Sequence, residues 1–140
     1  RRITAVASGF ETKNSRSRES SKMLNWAIRT FDTIRIANKN DVFEQLDVWL
    51  GKNKKVNVFV KEDIYITVPK RKKKTIKAVI EYNGPIQAPI KKGEKVGILN
   101  VYISGNLTKK IDIFSQEEIK RANIFSRLYK SFSYLVWGDV

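Results

Sequence analysis

From Val42 to Phe114 the chain never runs far without a short stretch of β-branched and aromatic residues. "VFEQLDVWLG", "KVNVFV", "DIYITVP", "TIKAVIEY", "QAPI", "KVGILNVYISG" and "KKIDIF" follow one another, separated by Gly, Pro, Asn and Lys. In "DIYITV", Ile64, Ile66 and Val68 alternate with Tyr65 and Thr67, the two-residue period of a strand with one buried face. Short strands with frequent turn signals predict a small antiparallel sandwich or barrel. "SGN" (Ser104 to Asn106) is the tightest turn signal and is expected to join two strands as a hairpin. "KKGEKVG" reads as a turn between "QAPI" and "VGILNVYI". No internal repeat is present.

The flanks have a different texture. "RRITAVASG" is β-branched and apolar, ends in Gly and reads as a buried strand. "ETKNSRSRES" offers Asn14, Ser15 or Ser17 as a helix N-cap. A helix is expected from there to about Phe31, with Ser20, Met23, Leu24, Ala27, Ile28 and Phe31 on one face. Such a stripe packs on a sheet, and this chain supplies none for it. A short linker is placed at Thr33 to Asp41. At the other end a helix is expected from about Gln116 to Trp137. Phe125, Leu128, Tyr129, Phe132, Leu135 and Val136 share one broad face, with Lys120, Arg127, Lys130 and Ser131 opposite. Glu117 and Glu118 fall in its first turn, where acids favour the helix dipole. Polar residues interrupt every stretch approaching the ~20 needed to span a bilayer. The expectation is a helix lying in the plane of a membrane surface, with Tyr134 and Trp137 at the interface; the competing reading packs the same face on the β domain or on a second copy.

Charge and missing residue types narrow the function. The formal charge is +14, which predicts attraction to nucleic acid, a phospholipid surface or an acidic polymer without choosing among them. The chain has no Cys and no His. Disulfides, thiolate metal sites, thiol nucleophiles, His-ligated zinc and a His-based triad are excluded within it, while the compartment stays open. "PKRKKKT" (Pro69 to Thr75) holds five consecutive basic residues. It reads as a nucleic-acid patch, a nuclear signal, an anionic-surface contact or a solvated loop. Trp49, Phe59, Tyr65, Tyr82 and Tyr102 offer a base-stacking platform, although core packing accounts for at least half of them. The first residue is Arg1 rather than Met, and a chain opening directly on a strand-like run looks like a piece of a longer protein.

Three elements carry a resemblance. "RRITAVASGFETKNSRSRESSKMLNWAIRTFDT" resembles the end of the penicillin-binding domain of D-alanyl-D-alanine carboxypeptidases, the low-molecular-mass penicillin-binding proteins of the bacterial periplasm. Met23, Leu24, Trp26, Phe31 and Thr33 fill the helix pattern there. "VWLGKNKKVNVFVKEDIYITVP" and "IQAPIKKGEKVGILNVYISG" are similar to the β-rich domain of that family. The resemblance implies a mainly β fold: a small antiparallel β-sandwich at 34–115, preceded at 1–33 by a strand-helix remnant of the penicillin-binding (transpeptidase-like) domain and followed at 116–140 by an amphipathic membrane-anchor helix. Its anchor residues are Phe125, Leu128, Tyr129, Phe132, Leu135, Val136 and Trp137. The parent is implied to be a serine peptidase that removes the terminal D-Ala from peptidoglycan pentapeptides. It would work at the periplasmic side of the cytoplasmic membrane, with the β domain as a stalk or as an interaction module for peptidoglycan or cell-wall enzymes. No catalytic residue, metal or cofactor is implied here. S-x-x-K and K-T-G are absent from the sequence, and "SGN", a match to the S-x-N element, is expected to be a hairpin turn. Arg16 matches an arginine that in relatives lies near the pocket for the substrate's terminal carboxylate; a surface arginine is the alternative. The rival class is a basic nucleic-acid-binding β-barrel. The oligomeric state is left open.

Overall fold

The computed structural model describes residues 2–122. Residues 2–10 form no strand, and Val6 is 93% exposed. The expected buried strand over "RRITAVASG" is therefore corrected. A strand needs a neighbour to take up its N–H and C=O groups, and none among the described residues pairs with this segment.

Helix α1 spans Lys13–Thr30. Its N-cap is Thr12, not Asn14, Ser15 or Ser17. Thr12 is extended, and its hydroxyl accepts from the Ser15 backbone N–H at 3.1 Å. The Ser15 hydroxyl in turn accepts from the Thr12 N–H at 3.2 Å. This reciprocal arrangement satisfies two donors at once. No residue of α1 is buried, and Met23, Trp26 and Ile28 are exposed. The apolar stripe meets no sheet.

Among the described residues eight strands follow: β1 (Phe31–Ala37), β2 (Val42–Trp49), β3 (Lys55–Phe59), β4 (Ile64–Pro69), β5 (Ile76–Glu81), β6 (Ile86–Gln87), β7 (Lys95–Ile103) and β8 (Asn106–Ser115). The helix enters β1 with no loop between them, and Trp26 meets Phe31 edge-on with ring centroids 5.3 Å apart. The β unit thus begins at Phe31 rather than after Thr33, and most of the expected linker is strand. "FDTIRIA" has no Gly or Pro to mark the change, and Ile34 and Ile36 supply the alternation.

β1 and β4 make a two-stranded antiparallel sheet, from Phe31↔Pro69 to Ala37↔Ile64. The other strands form a second sheet in the order β5-β7-β8-β3-β2-β6, antiparallel except for the β2–β6 pair. The "SGN" hairpin joins β7 to β8, with Ser104 at φ 51 and Gly105 at φ 81. Two successive positive φ values give a turn whose twist matches that of the flanking strands. In "KKGEKVG" Gly93 has φ 76, and the Lys91 N–H donates to Glu94 Oε2 at 2.8 Å.

Both sheets close on one core. Val56, Val58, Val60, Val68, Val101 and Ile113 are fully buried, alongside Leu46, Ile64, Ile66, Ile90, Leu99 and Ile111. Each such side chain contributes roughly 1.5–3 kcal/mol by leaving water. Alternation decides the aromatics. Tyr82 packs against the core, but Trp49, Phe59, Tyr65 and Tyr102 lie next to inward-facing strand neighbours and so point outward. Core packing therefore explains fewer of the five than the sequence suggests.

Residues 116–122 correct a second expectation. They are not the first turns of a helix. Ile119 and Ile90 exchange both backbone hydrogen bonds at 2.9 Å, the Ala122 N–H donates to Leu50 O at 2.9 Å, and Arg121 Nε donates to Ala88 O at 3.1 Å. Ile119 and Ala122 are buried. Burial of these two side chains favours an extended strap over a helix that would leave them in solvent. Glu117 accordingly does not start a helix; its carboxylate faces the Asn57 N–H. The anchor residues from Phe125 onward lie outside the described residues.

Candidate functional site

Arg16 stands in the first turn of α1 and is exposed. It lines a shallow concavity of about 380 Å³ whose other walls are residues 7–13. These walls come from one local segment. The concavity brings Arg16 near Glu11 and Lys13 but near no group from the β unit.

The "PKRKKKT" run forms a short 3-10 helix, Lys70–Thr75, with every residue exposed. Its position is fixed from two sides. Lys73 Nζ lies 3.1 Å from Asp32 Oδ2 on β1, and the Ser104 N–H donates to Thr75 O at 3.3 Å. The Thr75 and Ser104 hydroxyls are also 3.0 Å apart. Ser104 is thus a structural partner of Thr75 at a hairpin tip. The Lys73 ammonium, hydrogen-bonded to Asp32, holds that carboxyl below its ordinary value, with smaller help from the Thr33 N–H and Lys70.

Strand register brings more cations to the same end. Lys77 on β5 sits opposite Tyr102 on β7, and Lys109 and Lys110 on β8 sit opposite Val101 and Asn100. Strands lie about 4.8 Å apart, so these lysines flank β7 from both sides. Lys70, Arg71, Lys72, Lys73, Lys74, Lys77, Lys109 and Lys110 lie towards this end, with Asp32 paired to Lys73 and with Glu81 and Asp112 further along β5 and β8. Among the described residues Lys73 is the member of this group that forms an ion pair.

The register also locates this end relative to the rest. β2 and β8 both run antiparallel to β3, and Val58 pairs with Glu44 on one side and Ser115 on the other. From that level β8 reaches back to the hairpin at Asn106, whereas β2 runs forward to Trp49 and Gly51. At ~3.3 Å per residue the two ends are separated by at most roughly 45 Å along the strands. The incoming chain at Phe31 and the basic cluster share one end. The outgoing chain, tied by Ala122 to Leu50, leaves from the other. The outward aromatics do not gather. Phe59 pairs with Phe114 and Tyr102 with Leu107, positions far apart on β8, and Tyr65 belongs to the other sheet.

Among the described residues no helix is long and apolar enough to cross a membrane, and no group of acidic side chains is placed to hold a metal ion.

A family model for the C-terminal domain of penicillin-binding protein 5 matches residues 31–121. The D-alanyl-D-alanine carboxypeptidase DacA of Escherichia coli (strain K12) is 30% identical over 128 residues, covering 91% of this chain and 32% of its own length. DacF of Bacillus subtilis (strain 168) is 27% identical over 131 residues, covering 93% of this chain and 34% of its own length. The chain therefore spans 32% and 34% of these two relatives. Among solved structures, penicillin binding protein 5 from Haemophilus influenzae matches with a TM-score of 0.69 at 25% identity, covering 79% of this chain and 32% of that one. The matched span runs from the first residue of β1 to the strap that closes the core. The chain belongs to the family of the penicillin-binding protein 5 C-terminal domain, the C-terminal part of D-alanyl-D-alanine carboxypeptidases.

Proposed function

We propose that the chain is the non-catalytic C-terminal region of a serine-type D-Ala-D-Ala carboxypeptidase that trims peptidoglycan pentapeptides on the periplasmic side of the cytoplasmic membrane. The observation that carries this reading is the coincidence of the matched span 31–121 with a complete two-sheet core. The two sheets act as a sandwich-like spacer. Support comes from the register: the incoming chain meets the sheet at one end and the outgoing chain leaves at the other. Arg16 belongs to the proposal as a group near a substrate carboxylate, and Phe125, Leu128, Tyr129, Phe132, Leu135, Val136 and Trp137 belong to it as a membrane anchor. Both roles rest on the resemblance and on sequence pattern.

Labelling with a fluorescent penicillin tests the reading. The natural protein that carries this chain gives a labelled band, and the 140-residue chain alone gives none. A labelled band from the chain alone places the nucleophile here and overturns the reading. Flotation with anionic liposomes tests the anchor. The intact chain floats, and Phe132→Glu and a truncation after Ala122 stay at the bottom. The cut belongs after Ala122 because Ile119 and Ala122 are part of the core. Equal flotation of all three removes the anchor from the proposal.

A further inference from the structure

We propose that the basic end of the β unit, formed by the Lys70–Thr75 turn with Lys77, Lys109 and Lys110, docks a carboxylate-bearing peptidoglycan strand; this rests on the carboxypeptidase reading above. Three observations carry it.

The first is charge. Eight cations lie towards this end; Asp32 beside the turn is already engaged by Lys73, and Asp112 further along β8 by Lys95. The charges lie on a 3-10 turn and on β5 and β8, which flank β7, and the five consecutive ones on the turn are close enough for their fields to overlap within a screening length of about 8 Å at physiological salt. Like charges held together by the fold repel one another, and a polyanion relieves that repulsion.

The second is the kind of cation. Seven of the eight are lysines, and all are exposed. Lysine presents a hydrated point charge on a flexible stem, whereas bidentate recognition of a phosphate favours arginine. Clustered lysines read charge density along a polymer rather than the shape of one headgroup. Stem peptides ending in D-alanine carry such separated single carboxylates.

The third is position. The cluster lies at the end where the chain comes in from α1, opposite the end from which it leaves at Ala122. If the outgoing chain leads to a membrane, this end faces away from it, which counts against a lipid partner. The outward aromatics lie scattered along two sheets and give no stacking track beside the lysines, which counts against single-stranded nucleic acid. A wall strand held here stays beside the region that precedes β1.

The test is co-sedimentation of the full 140-residue chain with purified insoluble peptidoglycan across a salt series. It compares the intact chain with two variants of equal charge loss. The patch variant combines Lys70→Gln, Arg71→Gln, Lys72→Gln and Lys74→Gln, leaving Lys73 on Asp32. The control combines Lys52→Gln, Lys54→Gln, Lys91→Gln and Lys92→Gln, away from the basic end. We expect the patch variant to be retained at least about tenfold more weakly at low salt and to show a flatter salt dependence, given about a factor of five for each charge near an anionic surface and partial engagement. The control should stay within about twofold of the intact chain, as expected when screening confines each charge to its own neighbourhood. Blocking the peptidoglycan carboxylates by amidation should abolish the difference between the variants. Equal losses in both variants show a net-charge effect and overturn the proposal. A patch effect that survives amidation, or that appears only with phosphatidylglycerol vesicles or single-stranded DNA, also overturns it. Unchanged retention of the patch variant, with penicillin labelling of the natural protein intact, sinks this inference alone. Absence of labelling sinks the carboxypeptidase reading instead.

Discussion

Helix α1 and the β unit both carry apolar faces, yet only one of them closes on itself. In the β unit every inward strand position finds a partner across the core, and Val56, Val58, Val60, Val68, Val101 and Ile113 are shut off from water. In α1 the apolar stripe leaves Met23, Trp26 and Ile28 exposed, with no buried residue at all. The difference lies in partners rather than in local pattern. A helix gains most of its stability from what its apolar face covers, and α1 covers little beyond the start of β1. Its cap is intact, so its ends are well made while its face is unsatisfied. That combination leaves the apolar face of α1 uncovered among the described residues.

The comparison breaks most sharply at single core residues. Ile113→Ala should destabilise the chain by about 2–5 kcal/mol, because the site leaves a cavity lined by both sheets. Ile28→Ala on α1 should change stability by less than about 0.5 kcal/mol, as at other exposed positions. Urea unfolding followed by circular dichroism measures both. A comparable loss for Ile28→Ala shows that α1 is docked on the β unit in solution.

The same contrast explains what could be read in advance. The strands around "DIYITV" and "KVGILNVYISG" were legible because alternation and turn residues agree. The hairpin at Ser104 and Gly105 was legible because its residue types suit positive φ. The strap at 116–122 was not. Its two acids resemble a helix start, and only the pairing of Ile119 with Ile90 across the fold reveals the alternative. β1 was hidden for a related reason, since Thr30 passes into Phe31 with no breaker and its partner β4 lies far along the chain. The segment 2–10 failed in the opposite sense: its composition suits a strand, but strand character needs a neighbour. The basic run was visible as a run, while its company of Lys77, Lys109 and Lys110 comes from register. Tertiary pairing decided each missed element, and it leaves no mark at short range.

Glycines sharpen the comparison at smaller cost. A Cβ at Gly97 on β7 would sit 2.8 Å from Glu81 O and 3.0 Å from Tyr82 Cβ. The first contact is backbone, held by the β5–β7 pairing, so it cannot swing away. Gly97→Ala should cost about 1–3 kcal/mol, the usual range for overpacking. Gly9 has φ 81 and nothing near its missing Cβ. Gly9→Ala strains the local backbone but should leave the unfolding midpoint of the β unit where it was. A shift of that midpoint by Gly9→Ala ties residues 2–10 to the core.

The smallest effect compares two carboxylates, one in each region. Asp32 on β1 is held below its ordinary value by Lys73. Glu19 on α1 is held below its own chiefly by Arg18 and then by Lys22. In both the folded pKa is depressed, so each contributes stability that is present above the unfolded pKa and is lost as pH falls through the folded one. With carboxyl reference values near 4, that loss begins at about pH 4 and continues below it. Both carboxylates are open to solvent on one side, and screening keeps the contributions small. They differ in reach. Lys73 ties the basic turn to β1 across 41 positions of sequence, whereas Arg18 and Lys22 bind Glu19 within one helix. Lys73→Met should raise the Asp32 titration towards its ordinary value and lower the neutral-pH unfolding midpoint slightly, with the difference vanishing once Asp32 is protonated. Arg18→Gln should raise the Glu19 titration and leave the midpoint unchanged at every pH. Carboxyl titration by NMR alongside urea unfolding at neutral and acid pH reads both. If Lys73→Met leaves Asp32 unmoved, the ion pair does not hold the turn in solution. If Arg18→Gln shifts the midpoint, α1 and the β unit unfold as one body and the contrast between them fails.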